Sequence, residues 1–240
     1  MRLDRYISAI TGLSRRDVKA ALARGRVRVD GASVRDAAQQ LDEHSARVEL
    51  DGRLLEYRRH MHVMLNKPAG YLSATEDGRG PTVLDLLPPE LQRRGLFPVG
   101  RLDKDTEGLL LLTNEGRLAH DLLSPRRHVD KVYRARVTGC LTAEDAAAFA
   151  AGLVLGDGTV CRPAGLEILS AGAESVALVT LREGKFHQVK RMLAQRGKPV
   201  TYLERLRMGN LTLDPALERG DFRFLTEQEL EALRNLERLR

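Results

Sequence analysis

The first part of the chain carries apolar residues at helical spacing. Those within residues 3–10 recur every three or four positions and predict a first helix, which Gly12 ends. A capping box of Ser14 and Asp17 predicts the start of a second helix, and Gly25 predicts its end. The pattern therefore indicates two short helices at the amino terminus.

The apolar pattern then changes from helical spacing to alternation. Val27 and Val29 flank a charged residue, and Asp30-Gly31 is a tight-turn pair. Apolar positions between residues 34 and 50 continue the predicted small sheet. The stretch 53–60 is polar and basic and is predicted to be a linker, so we divide the chain into a domain of residues 1–59 and a domain of residues 60–240.

The most apolar run of the sequence, Leu109–Leu112, follows a loop that is rich in charge. The run is too short to cross a membrane, and the turn-forming segment Asn114–Gly116 closes it, so it predicts a buried strand. Asp103 in the preceding loop would then be held at the edge of the interior, which suits a nucleophile or an acid/base group. The alternative is that Asp103 and Asp105 brace a turn.

Beyond residue 60, strands and short helices follow one another in irregular order. Strand patterns fall at residues 63–65, 133–137, 176–181 and 200–213, with hairpin turns and without regular strand–helix–strand alternation. This order predicts an α+β fold in which the larger domain is built on a largely antiparallel mixed sheet.

Composition narrows the class of protein. The chain has 240 residues, of which 42% are hydrophobic and 30% are charged, and it has no apolar run long enough to span a bilayer. Charged residues interrupt the amino terminus, so no signal peptide is expected. Two cysteines, Cys140 and Cys161, lack the paired spacing of a metal site. We expect a cytoplasmic monomer without a membrane partner.

The charge balance favours a polyanionic partner, because the net charge is +6 and the isoelectric point is near 9.6. Six basic side chains crowd the second predicted helix and the strand after it. They form either a solvated face or, because acidic partners at salt-bridge spacing are sparse, a phosphate-binding face. The six are Arg15, Arg16, Lys19, Arg24, Arg26 and Arg28.

Three segments within the first 31 residues resemble a known module. They are Met1–Tyr6, Ser14–Arg16 and Gly25–Gly31, and this part of the chain resembles the S4 RNA-binding domain, an αα-hairpin followed by a small sheet. The resemblance implies that the basic face binds RNA.

Four further segments, in order along the chain, resemble the motifs of the RsuA family of pseudouridine synthases. They are Lys67–Gly70, Gly100–Asn114, Lys131–Tyr133 and Glu183–Met192. The resemblance implies isomerisation of a uridine to pseudouridine without a cofactor, with ribosomal RNA or a pre-ribosomal particle as the partner. An S4 unit in front and one short helix after the last motif look most like the family's enzyme for the 16S RNA of the small subunit.

The resemblance also implies roles for single residues. Asp103 matches the family nucleophile, and Lys190 matches the cation beside it. Arg101 matches the arginine associated with extrusion of the target base, and Tyr133 matches the ring that stacks on that base. Taken one at a time, Tyr133 also suits core packing, and Arg101 and Lys190 also suit a solvated surface. Attack by Asp103 on the ribose and attack on the base both stay open.

Two polar features close to residue 60 complete the set of candidates. Pro68 and Gly70 predict a sharp turn, so we expect Lys67 to project from it and to contact RNA. His60 and His62 lie one residue apart without a third ligand, so they are predicted to be surface polar groups and no metal is expected.

Three other functions are weighed against this one. A synthase for the 23S RNA of the large subunit differs only in its substrate. A non-catalytic S4 protein of ribosome assembly has no need for Asp103, Tyr133 and Lys190 together. A glycosidase-like hydrolase that uses Asp103 with Asp105 or Glu107 needs two carboxyl groups about 5 to 10 Å apart around a sugar, which close neighbours on one loop do not readily provide.

Overall fold

The computed structural model describes residues 1–43, 45–55, 57, 60–78, 80–124 and 127–235. Contacts divide the chain into two compact units, Met1–Met61 with Leu87–Leu96 and His62–Leu86 with Phe97–Arg240. Within the described ranges, no helix is long and apolar enough to cross a membrane.

The first unit contains three helices within its described residues, and the first two of them pack on a small antiparallel sheet. Its sheet order is β2-β1-β3-β4 among the described residues, and the predicted helices and sheet are confirmed. The elements are α1 (Leu3–Thr11), α2 (Arg15–Ala23), β1 (Val27–Val29), β2 (Ala32–Ser33), β3 (Val48–Leu50), β4 (Arg53–Leu55) and α3 (Pro89–Gln92).

Local sequence signals account for the helix ends in this unit. Gly12 adopts the left-handed conformation (φ 72°) that ends α1. Ser14 precedes α2, and its side chain accepts a hydrogen bond from the backbone N–H of Asp17. The apolar faces of both helices are buried against β1, with Leu3, Ile7 and other apolar side chains at 0% exposure.

Two segments of this unit differ from the sequence prediction. Strand β4 begins the stretch that was predicted to be a linker; residues 56, 58 and 59 of that stretch lie outside the described residues. The segment Leu87–Leu96, predicted to be part of the larger domain, packs in the first unit. There Arg93 and Arg94 donate hydrogen bonds to the carbonyl oxygens of Gly12 at 3.1 Å and Ala9 at 2.6 Å. Contacts between residues more than 80 positions apart have no local sequence signal.

The second unit is built on a large mixed sheet. Its elements are β5 (His62–Lys67), a 3-10 helix (Val83–Leu86), β6 (Phe97–Pro98), β7 (Glu107–Thr113), α4 (Gly116–Leu123), β8 (Lys131–Thr138), α5 (Ala143–Ala151), β9 (Gly165–Ser170), β10 (Glu174–Leu181), α6 (Gln188–Gln195), β11 (Val200–Met208), β12 (Leu211–Thr212), β13 (Phe222–Phe224) and α7 (Glu227–Arg234).

The order of strands in the large sheet places β7 near its centre. In the described part of the chain the order is β13-β5-β7-β11-β8-β10-β9, with β6 added to β7 and β12 added to β11. Strands β7 and β11 are parallel, and the other pairs are antiparallel. The predicted α+β fold with a largely antiparallel mixed sheet is therefore confirmed.

Strand β7 is buried on both faces, which explains its continuous apolar sequence. Leu109–Leu112 are 0% to 1% exposed, and Leu109 and Leu111 pack in a cluster with Leu118 of α4 and Leu230 of α7. Gly108 starts this run at φ 95°, and a Cβ there would lie 2.4 Å from the carbonyl oxygen of Arg205. Only glycine lets β7 approach β11 this closely at the end of the preceding loop.

Candidate active site

The loop between β6 and β7 presents Asp103 to a lysine of helix α6. The Nζ of Lys190 donates a hydrogen bond to Oδ2 of Asp103 at 2.9 Å. The Asp103 side chain is 25% exposed and that of Lys190 is 22% exposed, so both groups have lost part of their hydration. The fold thus brings together two residues that are 87 positions apart in the sequence.

Lys190 also binds the next carboxylate along the loop. Its Nζ lies 2.5 Å from Oδ1 of Asp105, whose side chain is 74% exposed. Burial lowers the pKa of Lys190, but the hydrogen bonds to Asp105 and Asp103 outweigh it, so the pKa is raised overall. The hydrogen bond from Lys190 is the main reason that the pKa of Asp105 is lowered. Lys190 is consequently a stable cation beside Asp103.

His187, the residue just before the first turn of α6, approaches the same carboxylate. Its Nε2 is 3.5 Å from Oδ1 of Asp103, and its side chain is 41% exposed. The residue caps the helix in the left-handed conformation, with φ 47°. A non-glycine residue seldom adopts this conformation. This contact between His187 and Asp103 was not predicted from the sequence.

Tyr133 lies on β8, next to the cleft that contains Asp103. The strand alternates buried Tyr133, Ala135 and Val137 with the more exposed Arg134 and Arg136, as the sequence predicted. Tyr133 is 8% exposed. It lines a cleft together with Arg101, Asp103, Thr106, Lys185 and Leu203. The ring is therefore packed on the sheet and also forms part of the cleft wall.

Arg101 lies at the same cleft and is exposed. It forms no ion pair with any residue in the described ranges, in contrast to Lys190. A guanidinium that is exposed at the edge of a cleft is available to an approaching ligand.

Lys67 does not project from its turn, so that prediction is wrong. The side chain is 0% exposed, and its Nζ donates to the carbonyl oxygens of Pro68 at 3.0 Å, Asp103 at 3.2 Å, Lys104 at 3.2 Å and Thr106 at 2.9 Å. Burial lowers the pKa of Lys67 to about 8. Because the side chain is enclosed, it cannot contact RNA in this structure; it holds the backbone of the Asp103 loop.

A second polar group fixes the other side of the loop. The hydroxyl of Ser73 donates to the carbonyl oxygen of Leu102 at 2.9 Å, and it accepts a hydrogen bond from the N–H of Leu102 at 3.1 Å. The N–H of Thr106 donates to the carbonyl oxygen of Asp103 at 3.1 Å. Sequence reasoning did not identify Ser73, since no pattern relates it to a loop some 30 residues away.

A network around Arg219 braces the start of β7. Arg219 donates to Glu107 at 2.8 Å and to Glu204 at 2.5 Å, and the hydroxyl of Tyr202 donates to Glu107 at 2.9 Å. The Glu204 side chain is only 4% exposed. This network was not predicted either, because its members come from three separate segments of the chain.

In the first unit, the six basic residues predicted to bind RNA are all exposed. Arg26 differs from the others, because its Nε donates to Asp51 at 2.6 Å and its guanidinium forms an ion pair with that carboxylate. The other five form no ion pair with a described residue, and they remain available to phosphates. Arg26 is already neutralised, so its predicted role is weakened.

His62 is not a surface group, contrary to prediction. It is 8% exposed, and its Nδ1 lies 2.9 Å from the hydroxyl of Thr113 on β7. His60 is exposed. Among the described residues, no group of three or more His, Cys, Asp or Glu side chains is arranged to hold a metal ion.

The second unit thus has a cleft in which a carboxylate lies beside a lysine, and strands of its mixed sheet form part of the cleft wall. The chain belongs to the RNA pseudouridylate synthase family, whose model matches residues 61–195, and the S4 domain model matches residues 1–46. Both resemblances found in the sequence are thereby confirmed. The chain is a pseudouridine synthase of the RsuA type, an isomerase.

Relatives match over nearly the whole length of the chain. The uncharacterized RNA pseudouridine synthase YtzG of Bacillus subtilis is 45% identical over 97% of this chain and 98% of its own length. The ribosomal small subunit pseudouridine synthase A of Pseudomonas aeruginosa is 44% identical over 96% and 99%. A crystal structure of a pseudouridylate synthase superposes with a TM-score of 0.68 at 34% identity, covering 97% of this chain and 99% of that one.

Proposed function

We propose that this chain isomerises a uridine to pseudouridine in the RNA of the small ribosomal subunit, with Asp103 as the nucleophile. Relatives from Pseudomonas aeruginosa and Escherichia coli, 44% and 39% identical, are named ribosomal small subunit pseudouridine synthase A. Both match over at least 96% of this chain. A shared domain layout over this length favours a shared class of substrate.

The observation that carries the catalytic proposal is the 2.9 Å contact between Lys190 and Asp103 at the cleft. A carboxylate that is partly stripped of water tends to become protonated, and a neighbouring cation opposes that change. Lys190 places a positive charge directly against the Asp103 carboxylate, and the bonds from Lys67 to the loop backbone keep that carboxylate in place. An ionised, fixed carboxylate is what nucleophilic catalysis requires.

In the reaction, the bond between N1 of the base and C1′ of the ribose breaks and a bond between C5 and C1′ forms. The proton on C5 leaves to solvent and N1 gains a proton, so the composition of the RNA is unchanged. Asp103 attacks the nucleotide to form a covalent adduct, and the adduct breaks at the end to regenerate the carboxylate. The base turns in the cleft after the bond from N1 to C1′ has broken and before the bond from C5 to C1′ forms.

The other cleft residues act on the target base. Extrusion of a stacked nucleotide costs roughly a few kcal/mol, and exposed Arg101 enters the space that the base leaves. Tyr133 then stacks on the extruded base, a contact worth about 1 to 3 kcal/mol. These two residues lie at the same cleft as Asp103, so extrusion delivers the base to the nucleophile.

The test uses the purified chain with small-subunit ribosomal RNA, assembling small subunits and large-subunit ribosomal RNA, each labelled with tritium at C5 of uridine. We expect tritium release from a small-subunit substrate, at one mapped uridine, without release of free uracil. Release from large-subunit RNA alone would overturn the assignment of substrate, and free uracil would indicate a hydrolase. The Asp103→Asn variant serves as the control for background release of tritium.

A further inference from the structure

Phe186 is an aromatic side chain that the protein leaves in solvent. It is 75% exposed, more than any other large hydrophobic side chain in the described part of the chain. Burial of such a ring would stabilise the fold, and this position forgoes that gain. A single exposed apolar side chain is common at protein surfaces, so the orientation and position of this ring, rather than its exposure alone, must indicate a ligand.

The ring has a fixed orientation despite its exposure. It stacks on the imidazole of His187, with ring centroids 3.8 Å apart and an interplanar angle of 17°. His187 is in turn held by the start of α6, and its Nε2 lies 3.5 Å from Asp103. One face of Phe186 is therefore covered by His187, and the ring is set up as a flat platform.

The platform belongs to the rim of the Asp103 cleft. Lys185 and His187, the residues on either side of Phe186, both line the cleft. The carbonyl oxygen of Phe186 accepts a hydrogen bond from Arg191 of α6 at 3.4 Å. A flat apolar ring next to the ammonium group of Lys185 matches a nucleobase and its phosphate better than it matches an aliphatic protein surface.

We propose that Phe186, backed by His187, stacks on a base next to the target uridine when that uridine is extruded. Extrusion removes a stacking partner from the adjacent bases. An aromatic ring at the mouth of the cleft replaces that partner and holds the distorted RNA in place. Phe186 is then a positioning residue for the RNA. The inference rests on the proposed modification of RNA and adds a second base-binding position to it.

The test compares Phe186→Ala, Phe186→Leu and Phe186→Tyr in the full chain, on whichever ribosomal RNA the parent enzyme modifies. We expect Phe186→Ala and Phe186→Leu to raise the KM for RNA about 5- to 150-fold, which corresponds to roughly 1 to 3 kcal/mol of stacking, with kcat little changed. Tyr retains a flat ring and should keep the parental KM. Leu169→Ala, a change at a side chain on β9 that is 51% exposed, should have no effect.

Substrates with an abasic site identify the base. An abasic site is placed on either side of the target uridine in turn. At one of these two positions it should raise the KM of the parent enzyme by the same factor as Phe186→Ala, and the two changes together should raise KM little more. The proposal would be overturned if the effects of Phe186→Ala and of the abasic site were fully additive at both neighbours of the target. A parental KM in Phe186→Leu would also overturn it. A fall in kcat alone would also overturn it and would show that the ring merely supports His187. If the parent enzyme releases no tritium from any RNA, the proposed function fails instead.

Discussion

The Nζ of Lys67 lies 3.2 Å from the carbonyl oxygen of Asp103, whose side chain is held on its other side by Lys190. One lysine thus positions the backbone of this residue, and another neutralises its carboxylate. Lys67 is enclosed and Lys190 is partly exposed. The two cations therefore have different roles, although both serve the same aspartate, and they respond differently to substitution.

Replacement of Lys67 by methionine should destabilise the fold as well as the site. The change leaves four carbonyl oxygens, that of Thr106 buried, without their ammonium donor, and we expect a loss on the order of 3 kcal/mol in the free energy of unfolding. Lys104→Met alters an exposed lysine of the same loop and should change stability by less than about 0.5 kcal/mol. Denaturant titration measures both. Equal stability of the two variants would contradict the anchoring role of Lys67.

The elements that were predicted from sequence are those with local signals. Leu109–Leu112 form a buried strand because a continuous apolar run suits a strand that is covered on both faces. Ser14 begins α2, and its side chain accepts a hydrogen bond from the N–H of Asp17, three residues later. The family motifs also placed Asp103 and Lys190 together, and their contact is observed.

The features that were missed depend on contacts between distant segments. Lys67 was expected at the surface because Pro68 and Gly70 indicated a turn, but the register of β5 against β7 puts it opposite Gly108, inside the sheet. Strand β4 contains Arg53 and was assigned to a linker, because a short strand with a charged residue lacks a periodic pattern. Sequence patterns describe neighbours along the chain and do not give the register of strands.

The pH dependence of turnover should reflect Lys67. Burial lowers its pKa in the folded chain to about 8, against 10.5 for an ordinary lysine. As pH rises through about 8, the ammonium becomes a neutral amine that binds the loop carbonyls less strongly, so kcat should fall. Between these two pKa values the unfolded chain binds more protons than the folded chain, so the contribution of Lys67 to the free energy of unfolding increases with pH.

We therefore expect kcat to decline above pH 8 without a matching decline in thermal stability. The measurement is kcat at saturating RNA between pH 7 and pH 10, with the melting temperature recorded at each pH. A flat profile over the whole range would contradict the role of Lys67 in keeping the loop active.

Lys190→Met should reduce turnover about 10²- to 10³-fold while the melting temperature stays close to that of the parent, because it removes a charge beside the reacting carboxylate. The adjacent Arg191→Met is the matched control. Arg191 pairs with Asp157 at 2.5 Å rather than with Asp103, so its loss should leave kcat nearly unchanged. Single-turnover rates of tritium release separate the two. The opposite ranking would identify Arg191 as the cation that acts on Asp103.

Asp103→Asn and Asp105→Asn should differ sharply although both residues bind Lys190. An amide at position 103 cannot act as the nucleophile, so tritium release should fall to background while RNA binding persists. An amide oxygen at position 105 can still accept a hydrogen bond from Lys190, although the negative charge is lost. Asp105 is largely exposed, and most activity should remain. Release at the parental rate by Asp103→Asn would remove this residue from the chemistry.

Arg28→Gln and Arg26→Gln should differ in how they change the binding of RNA. Both side chains are exposed, but Arg26 is paired with Asp51, and Arg28 forms no ion pair within the described ranges. If Arg28 neutralises a phosphate, its loss should reduce the slope of log K against log salt concentration by about 0.7 to 0.9. Arg26 releases fewer counterions, because its charge is already compensated by Asp51, and its loss should change the slope by clearly less.

Titration of RNA binding at salt concentrations from about 50 to 200 mM measures both slopes. Equal reductions would show that the pair with Asp51 opens when RNA binds, which would return Arg26 to the RNA-binding face.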